Sequence, residues 1–481
     1  MTTRRGLAIA GAILAVLLQR GASAHVGSPD VFLDGQAGPY RVFVTVRPPY
    51  TVPGVADVEV LTTSPDVTDV RIVPLPLTGP GTQFAPAADV AMRSPDDPRL
   101  FTGQLWMMSA GAWQVRVVVS GDRGEGSLSV PVPTLPQATL AMPRPLRALL
   151  AAFMLILCAG FVSIVSAIAR EARLDAGGMP GPRARRRGRI AGFIATCVVA
   201  AAMFLGNWWW TAEASSYARY VYKPLQATPT VTAGARLRLD LHDPGWIASR
   251  RLDDFVDDHG HPMHLFVVSP ALDRLWHLHP DEIATGRFEG RLPDMPEGQY
   301  ELFADLVHRT GVSETVTGRF DAPAIQGGAL TGDDSAWSEA DSAPSSSGDD
   351  SSRTADAGRL VWVRDSQPLR TKRLTMFTFR VEDAEGRPAR DLELYMGMPG
   401  HAIFIRRDRR VFAHVHPSGS APAAAIEIAM PAGQVHTHPG AELPPTVSFP
   451  YGFPEPGDYR LFVQVKRSGR IVTGAFDAHV D

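Results

Sequence analysis

The residues best placed to do chemistry are histidines, and they recur in register. Residues 236–280 align without a gap with 373–417 at a separation of 137 positions, which takes His264, His277 and His279 onto His401, His414 and His416. Ten of the 45 aligned pairs are identical, and three of those ten are histidines in a chain that holds 14. Gly260, Pro262 and Pro280 fall on Gly397, Pro399 and Pro417. A duplication that lets most positions drift yet keeps three imidazoles aligned points to their use. Neutral imidazole is the commonest metal ligand, so a metal is the expected use.

Neighbouring positions sharpen the choice of metal. Met396 and Met398 stand where the first copy has His259 and His261, and His436 and His438 add a third His-x-His-Pro inside an insertion in the second copy. An exchange of imidazole for thioether suits copper, because soft thioethers favour Cu(I). Zinc is the alternative, since three histidines with an open position also suit it. The expected ligands are therefore His264, His277 and His279 for one ion and His401, His414 and His416 for another. Met263 or Asp305 would be an extra ligand in the first copy, Met396 or Met398 in the second, and His436 and His438 an auxiliary site.

Strands must position these residues. Residues two apart on a strand share a face, so His277 and His279 project together. A hairpin symmetric about Pro270 and Ala271 would set His264 opposite His277, with Cβ atoms roughly 4.5–5.5 Å apart. Histidines near strand ends can also cap turns, pair with backbone or form a pH-sensitive surface. Catalysis finds little support: the chain has no Gly-x-Ser-x-Gly, phosphate loop or His-Glu-x-x-His. The chain reads as a non-enzyme. A net charge of −3 gives no argument for nucleic acid.

Residues 1–24 read as a signal peptide, with Arg4 and Arg5 before the apolar Leu7–Leu18 and a small-residue cleavage site at Ala22–Ala24. Two further apolar runs, 148–169 and 190–210, are long enough to cross a bilayer. The arginine-rich 170–189 between them reads as a cytoplasmic loop, and Trp208–Trp210 as an outer aromatic belt. That topology leaves the bulk of the chain outside the cytoplasm, on the periplasmic face of a bacterial inner membrane. Cys158 and Cys197 both lie within the spans, where small residues pack helices together, so no disulfide framework supports the exported parts.

Short strand-like runs separated by Pro and Gly predict a mainly β fold. We expect three immunoglobulin-like sandwiches, at 25–144, 220–323 and 359–481, and a two-helix transmembrane hairpin. Later in the two repeats, Tyr300–Phe303 matches Tyr459–Phe462 at a longer separation, which implies an insertion after Pro417. Residues 324–358, rich in Ser and Asp, read as a disordered acidic linker.

The run from Leu100 through Trp113 to Val115 resembles the closing hairpin of YtkA-like and FixH-like domains. That resemblance implies a membrane-tethered module linked to copper handling and oxidase assembly, with an envelope or respiratory-oxidase partner. His25, exposed by signal cleavage, resembles the N-terminal ligand of CopC-type copper proteins. Residues 26–241 hold no second histidine, so a complete CopC-like site is not present. The two C-terminal units resemble uncharacterised exported bacterial domains with His-x-His-Pro. A metal-free scaffold that docks another envelope protein is the competing function, and a metal-dependent enzyme a third.

Overall fold

Alternating apolar residues fold the chain on either side of the helical hairpin into sandwiches, as patterning predicts. The structure is a computed structural model that describes residues 30–175, 177–246, 250–340, 350–365, 367–430 and 443–481. The leader 1–24, His25, His436 and His438 lie outside the described residues. The protein is mainly β, with immunoglobulin-like sandwiches and two long apolar helices.

In the first sandwich the sheet built on Tyr40–Arg47, Gly54–Thr62 and Leu100–Met107 faces the sheet of Val67–Pro76, Gly111–Gly121 and Gly124–Thr134. Val42, Val44, Val58, Val60, Ile72 and Val117 fill the space between them. Phe32 and Phe43, on the other face of the first sheet, enter the core of the third sandwich. In return, Ala421 and Ile426 pack against the core of the first. The turn after His416 seals this junction: a side chain at Gly419, whose φ is +132°, would meet the Phe32 carbonyl oxygen.

The second sandwich is a single hydrogen-bonded path folded into two layers, joined by one parallel bridge from Gln226 to Thr317. The third has the sheet Ser351–Arg353, Arg359–Val363, Thr375–Glu382 and Thr446–Tyr451 facing one built on His401–Arg406, Phe412–Val415 and Gly457–Arg467. The gapless repeat holds from Phe255–Val256 and Leu392–Glu393 onward. Before that point it slips. Buried Leu237, Leu239 and Leu241 correspond to Phe377, Phe379 and Val381, because the first copy has a loop three residues longer ahead of Phe255. The insertion after Pro417 carries the short helix Ala423–Ala429.

Residues 324–358 are only partly a linker. Ser335–Ser338 is a strand that pairs with Arg274–Leu278, and Ser351–Arg353 pairs with Arg359–Val363. Trp337 drives this, burying its indole in the apolar cluster between the repeats. One anchoring aromatic outweighs the polar composition around it.

The second compact unit, Tyr50–Val52 with Leu135–Tyr222, contains helices α1 (Arg144–Glu171) and α2 (Pro182–Ala218). Both are long and apolar enough to cross a membrane. α2 begins earlier than the span 190–210, so Arg183–Arg189 lie in its first turns and the non-helical link is shorter than 170–189. Arginine is a good helix former and Pro182 supplies an N-terminal start. Ser166 donates to the Gly188 carbonyl at 3.0 Å, and Gly192 keeps the helices close. Cys197 is exposed and Cys158 half-buried, so glycine and serine are the small residues at this contact.

Candidate metal centre

In each repeat the histidines lie on a hairpin whose two faces are both buried. Leu265, Val267, Trp276 and Leu278 point into the second sandwich's own core, and Ala402, Phe404, Ala413 and Val415 into the third's. The opposite faces carry Phe266, Val268 and Leu275 from one repeat and Ile403, Ile405 and Phe412 from the other, packed into one cluster. Phe303 stacks on Phe412 with ring centroids 4.4 Å apart. Apolar residues close one end of this seam, and histidines occupy the other.

Hairpin register differs from the symmetric expectation by two residues. Phe266, and not His264, lies opposite His277, and in the second copy Ile403 lies opposite His414. Residues 269–273 form the loop, with Leu272 at φ 59°. A two-residue shift keeps every side chain on its face, so the histidines still converge. Phe266 stacks on the His277 ring at 4.2 Å.

The expectation of one site within each repeat gives way to a single shared cluster. His259, His261, His264, His277, His279, His401, His414 and His416 form a chain of ring contacts with centroids 4.0–6.4 Å apart. Two sets have ligand atoms that all lie within 4.8 Å of one another: His264, His277 and His279, and His259, His401 and His416. The first is the expected set. In the second, His259 from the other repeat takes the place expected of His414. His414 stands between the sets, 5.3 Å from the His264 ring and 4.5 Å from the His416 ring, with Nδ1 3.3 Å from Asp305 Oδ2.

Hydrogen bonds orient the first set. His264 Nε2–H donates to the Asp258 carbonyl at 2.9 Å and His277 Nδ1–H to Gln464 Oε1 at 2.9 Å. His279 Nδ1–H donates to Asp334 Oδ1 at 3.0 Å. Gln464 Nε2 donates to Ser335 and Thr473, which fixes its amide oxygen toward His277. The inner nitrogens of neutral rings then carry lone pairs, yet His264 Nδ1 and His277 Nε2 face each other at 3.2 Å. A proton between them would require one of the two rings to be cationic, but burial first, and then His279, push both down, His264 to about 4. Two ligands bound to one ion at about 2.0–2.1 Å stand about 3.3 Å apart in a tetrahedral site, close to what is seen. Imidazoles tied through their outer N–H to oxygen acceptors are the usual second layer of a metal site.

Seven ring nitrogens in the cluster are buried without a hydrogen-bonding partner among the described residues: Nε2 of His259, His279 and His414, and both nitrogens of His401 and His416. Each such group costs roughly 1–3 kcal/mol. The total is comparable with the roughly 5–15 kcal/mol net stability of a typical domain, so a purely structural role explains them poorly. Burial holds His277, His401, His414 and His416 far below the ordinary imidazole range, with neighbouring histidines adding to it. Burial takes His279 to about 3. These five and His264 are therefore neutral and ready to bind at pH 7.

Other nearby side chains, expected ligands among them, fall elsewhere. Met263 is fully buried in the second sandwich's own core and is no ligand. His308 is held by Asp254 at 2.7 Å and Glu314 at 3.2 Å; burial opposes its charge, but these partners outweigh it and raise its pKa. Met396 is buried in a turn, Tyr395–Met398, that reproduces the Asp258–His261 turn, and Met396 and His259 share left-handed φ values of 50° and 55°. Asp258, Asp333, Asp334 and Gln464 were not singled out as supports. Gln464 could have been found from the repeat, since it pairs with His401 as Asp305 pairs with His264. Each of the two reaches a histidine of the other repeat.

Asp334 supports the site from outside both hairpins, so Asp334→Ala should weaken metal binding at the first set about 10–100-fold. Asp334→Asn keeps an acceptor and should stay near wild type. Competition titration with a chromophoric chelator reads the difference, and equal affinities for wild type and Asp334→Ala would contradict this role.

A family model described as a domain of unknown function (DUF8832) matches residues 354–481, which is the second repeat and the residues just ahead of it. No curated protein matches the chain. Among solved structures, a tetra-tandem repeat from the extending region of a large adhesion protein is 10% identical, with 90% of this chain and 72% of that chain covered and a TM-score of 0.16. The native conformation of E. coli alpha-2-macroglobulin is 11% identical, covering 94% of this chain and 23% of that one, with a TM-score of 0.22. A putative membrane anchored protein from Corynebacterium diphtheriae is 10% identical over 94% of both chains, with a TM-score of 0.16. At these scores the likenesses carry no functional argument.

Proposed function

We propose that this chain is a membrane-anchored, extracytoplasmic metal-binding protein of the bacterial inner membrane that buffers or delivers copper. One observation carries the reading: His264, His277 and His279 each give their outer N–H to an oxygen and turn unprotonated nitrogens toward a common point. Neutral imidazoles without thiolates suit copper or zinc better than magnesium or calcium. The exchange of His259 and His261 for Met396 and Met398 between the repeats favours copper, because soft thioethers suit Cu(I). The arginines ahead of the second span favour an extracytoplasmic placement by the positive-inside rule. The resemblance of the first sandwich to YtkA-like and FixH-like domains suggests a respiratory-oxidase or other envelope partner as recipient.

The test uses the full chain in detergent, because the first and third sandwiches share core residues. Metal-stripped protein is titrated with Cu(I), Cu(II) and Zn(II) beside a His277→Ala/His279→Ala/His414→Ala/His416→Ala variant. Wild type should bind tightly and the variant lose at least 100-fold in affinity. Equal binding by both, or none by either, overturns the proposal and leaves the metal-free scaffold in its place. Preference for Zn(II) over copper would keep the site and change the ion.

A further inference from the structure

We propose that His259, His401 and His416 form a second metal site shared between the repeats, and that an ion bound there clamps the two sandwiches together. The proposal rests on reading the histidine seam as a metal centre. It adds a distinct site with a distinct consequence, because the first set comes from one repeat alone.

Geometry makes the case. The ligand atoms of the three residues lie within 4.8 Å of one another. An ion with bonds of about 2.0–2.1 Å needs its nitrogens about 3.3–3.6 Å apart, so closure by roughly 1 Å suffices. Five of the seven partnerless ring nitrogens belong to these residues, and His401 and His416 are 0% and 2% exposed. Among the described residues nothing claims the hydrogen-bonding capacity of these nitrogens, whereas every member of the first set is tied on its outer side.

The backbone presents His259 at a cost. Its φ of 55° is a conformation that side chains other than glycine adopt at roughly 1–2 kcal/mol. Reciprocal bonds between Asp258 and His261, 2.9 and 3.1 Å, hold the turn that imposes it. The Asp258 carboxylate accepts the Ala424 N–H at 2.7 Å, which ties the same turn to the insertion of the second repeat. His259 thereby sits 5.3 Å from the His401 ring and 4.9 Å from the His416 ring, across the seam from its own sandwich. Three imidazoles with no thiolate or carboxylate among them suit Cu(I), Cu(II) or Zn(II).

His259→Gly is the decisive variant, because glycine accepts the left-handed turn and the fold should survive. Full chain in detergent, stripped of metal, is loaded with Zn(II) and with Cu(I), and bound metal is counted by mass spectrometry of the intact protein. Wild type should hold two ions, His259→Gly one, and His277→Ala/His279→Ala one. Hydrogen exchange adds a readout of the clamp. Loading should slow exchange in both hairpins, 264–278 and 401–415, in wild type, and in the first hairpin alone in His259→Gly. If wild type holds one ion and His259→Gly changes neither count nor exchange, the second site is overturned while the first stands. If wild type binds no ion, the metal reading itself fails.

Discussion

Acidifying the metal-free chain from pH 7 to pH 5 should destabilise the β unit by several kcal/mol, with its unfolding midpoint falling steeply below pH 6.5. His264 and His279 titrate at about 4 and about 3 in the fold, against 6.5 for an unfolded chain. Their folded values lie below the unfolded one, so below pH 6.5 the unfolded chain binds the extra protons. Stability present above 6.5 is lost as the pH falls toward the folded values, by about 2 kcal/mol for each of the two at pH 5. His277, His401, His414 and His416 shift in the same direction, with burial as the first cause.

Several groups oppose the trend, among them Asp334, raised first by burial, and His479, raised first by its hydrogen bond to Asp458. Burial raises Asp305 to about 7 and Asp30 to about 6, so these carboxyls take up protons in the fold and add stability as the pH falls. His308, raised by Glu314 and Asp254 against its burial, likewise contributes most at low pH. The six buried histidines outweigh these groups. Urea unfolding followed by tryptophan fluorescence at pH 7.5, 6.5, 5.5 and 5.0 reads the balance. A midpoint that holds steady or rises would mean that the cluster is hydrated or already protonated.

His401→Leu combined with His416→Leu should make the metal-free chain more stable, by about 2–5 kcal/mol, while abolishing the second set. Both rings are buried and all four of their nitrogens lack partners among the described residues. Replacing a buried, unsatisfied polar group by an apolar one of similar size removes a penalty of roughly 1–3 kcal/mol. Residues that carry function often cost stability in this way, whereas structural histidines do not. The variant and wild type are compared by thermal and urea unfolding after metal stripping. Destabilisation by the double change would mark these histidines as structural and favour a scaffold.

Much of this protein was legible in one dimension. Two apolar runs separated by arginines announced the helical hairpin, because bilayer thickness sets the length such a run must have. Period-two alternation announced the sandwiches. The duplication singled out His264, His277, His279, His401, His414 and His416, because internal repeats expose which positions resist drift. The hairpin loop was harder: Leu272 in a left-handed conformation gives a five-residue loop where symmetry suggested a tighter turn, and the register moved by two.

Only the tertiary structure decided that the two histidine sets belong to one cluster. Strand alternation says which residues share a face, but not what that face meets. Here the outward faces of both hairpins are apolar at Phe266, Ile403 and Phe412, so they bury against each other and carry the histidines together. Trp337 pulls an acidic stretch into the same seam and delivers Asp333 and Asp334 to His261 and His279. The exchange of His259, Asp305 and Gln464 across the seam is likewise a product of packing. Spacing along a chain fixes ligands within one element; ligands from different domains are chosen by the surfaces that hydrophobic burial brings into contact.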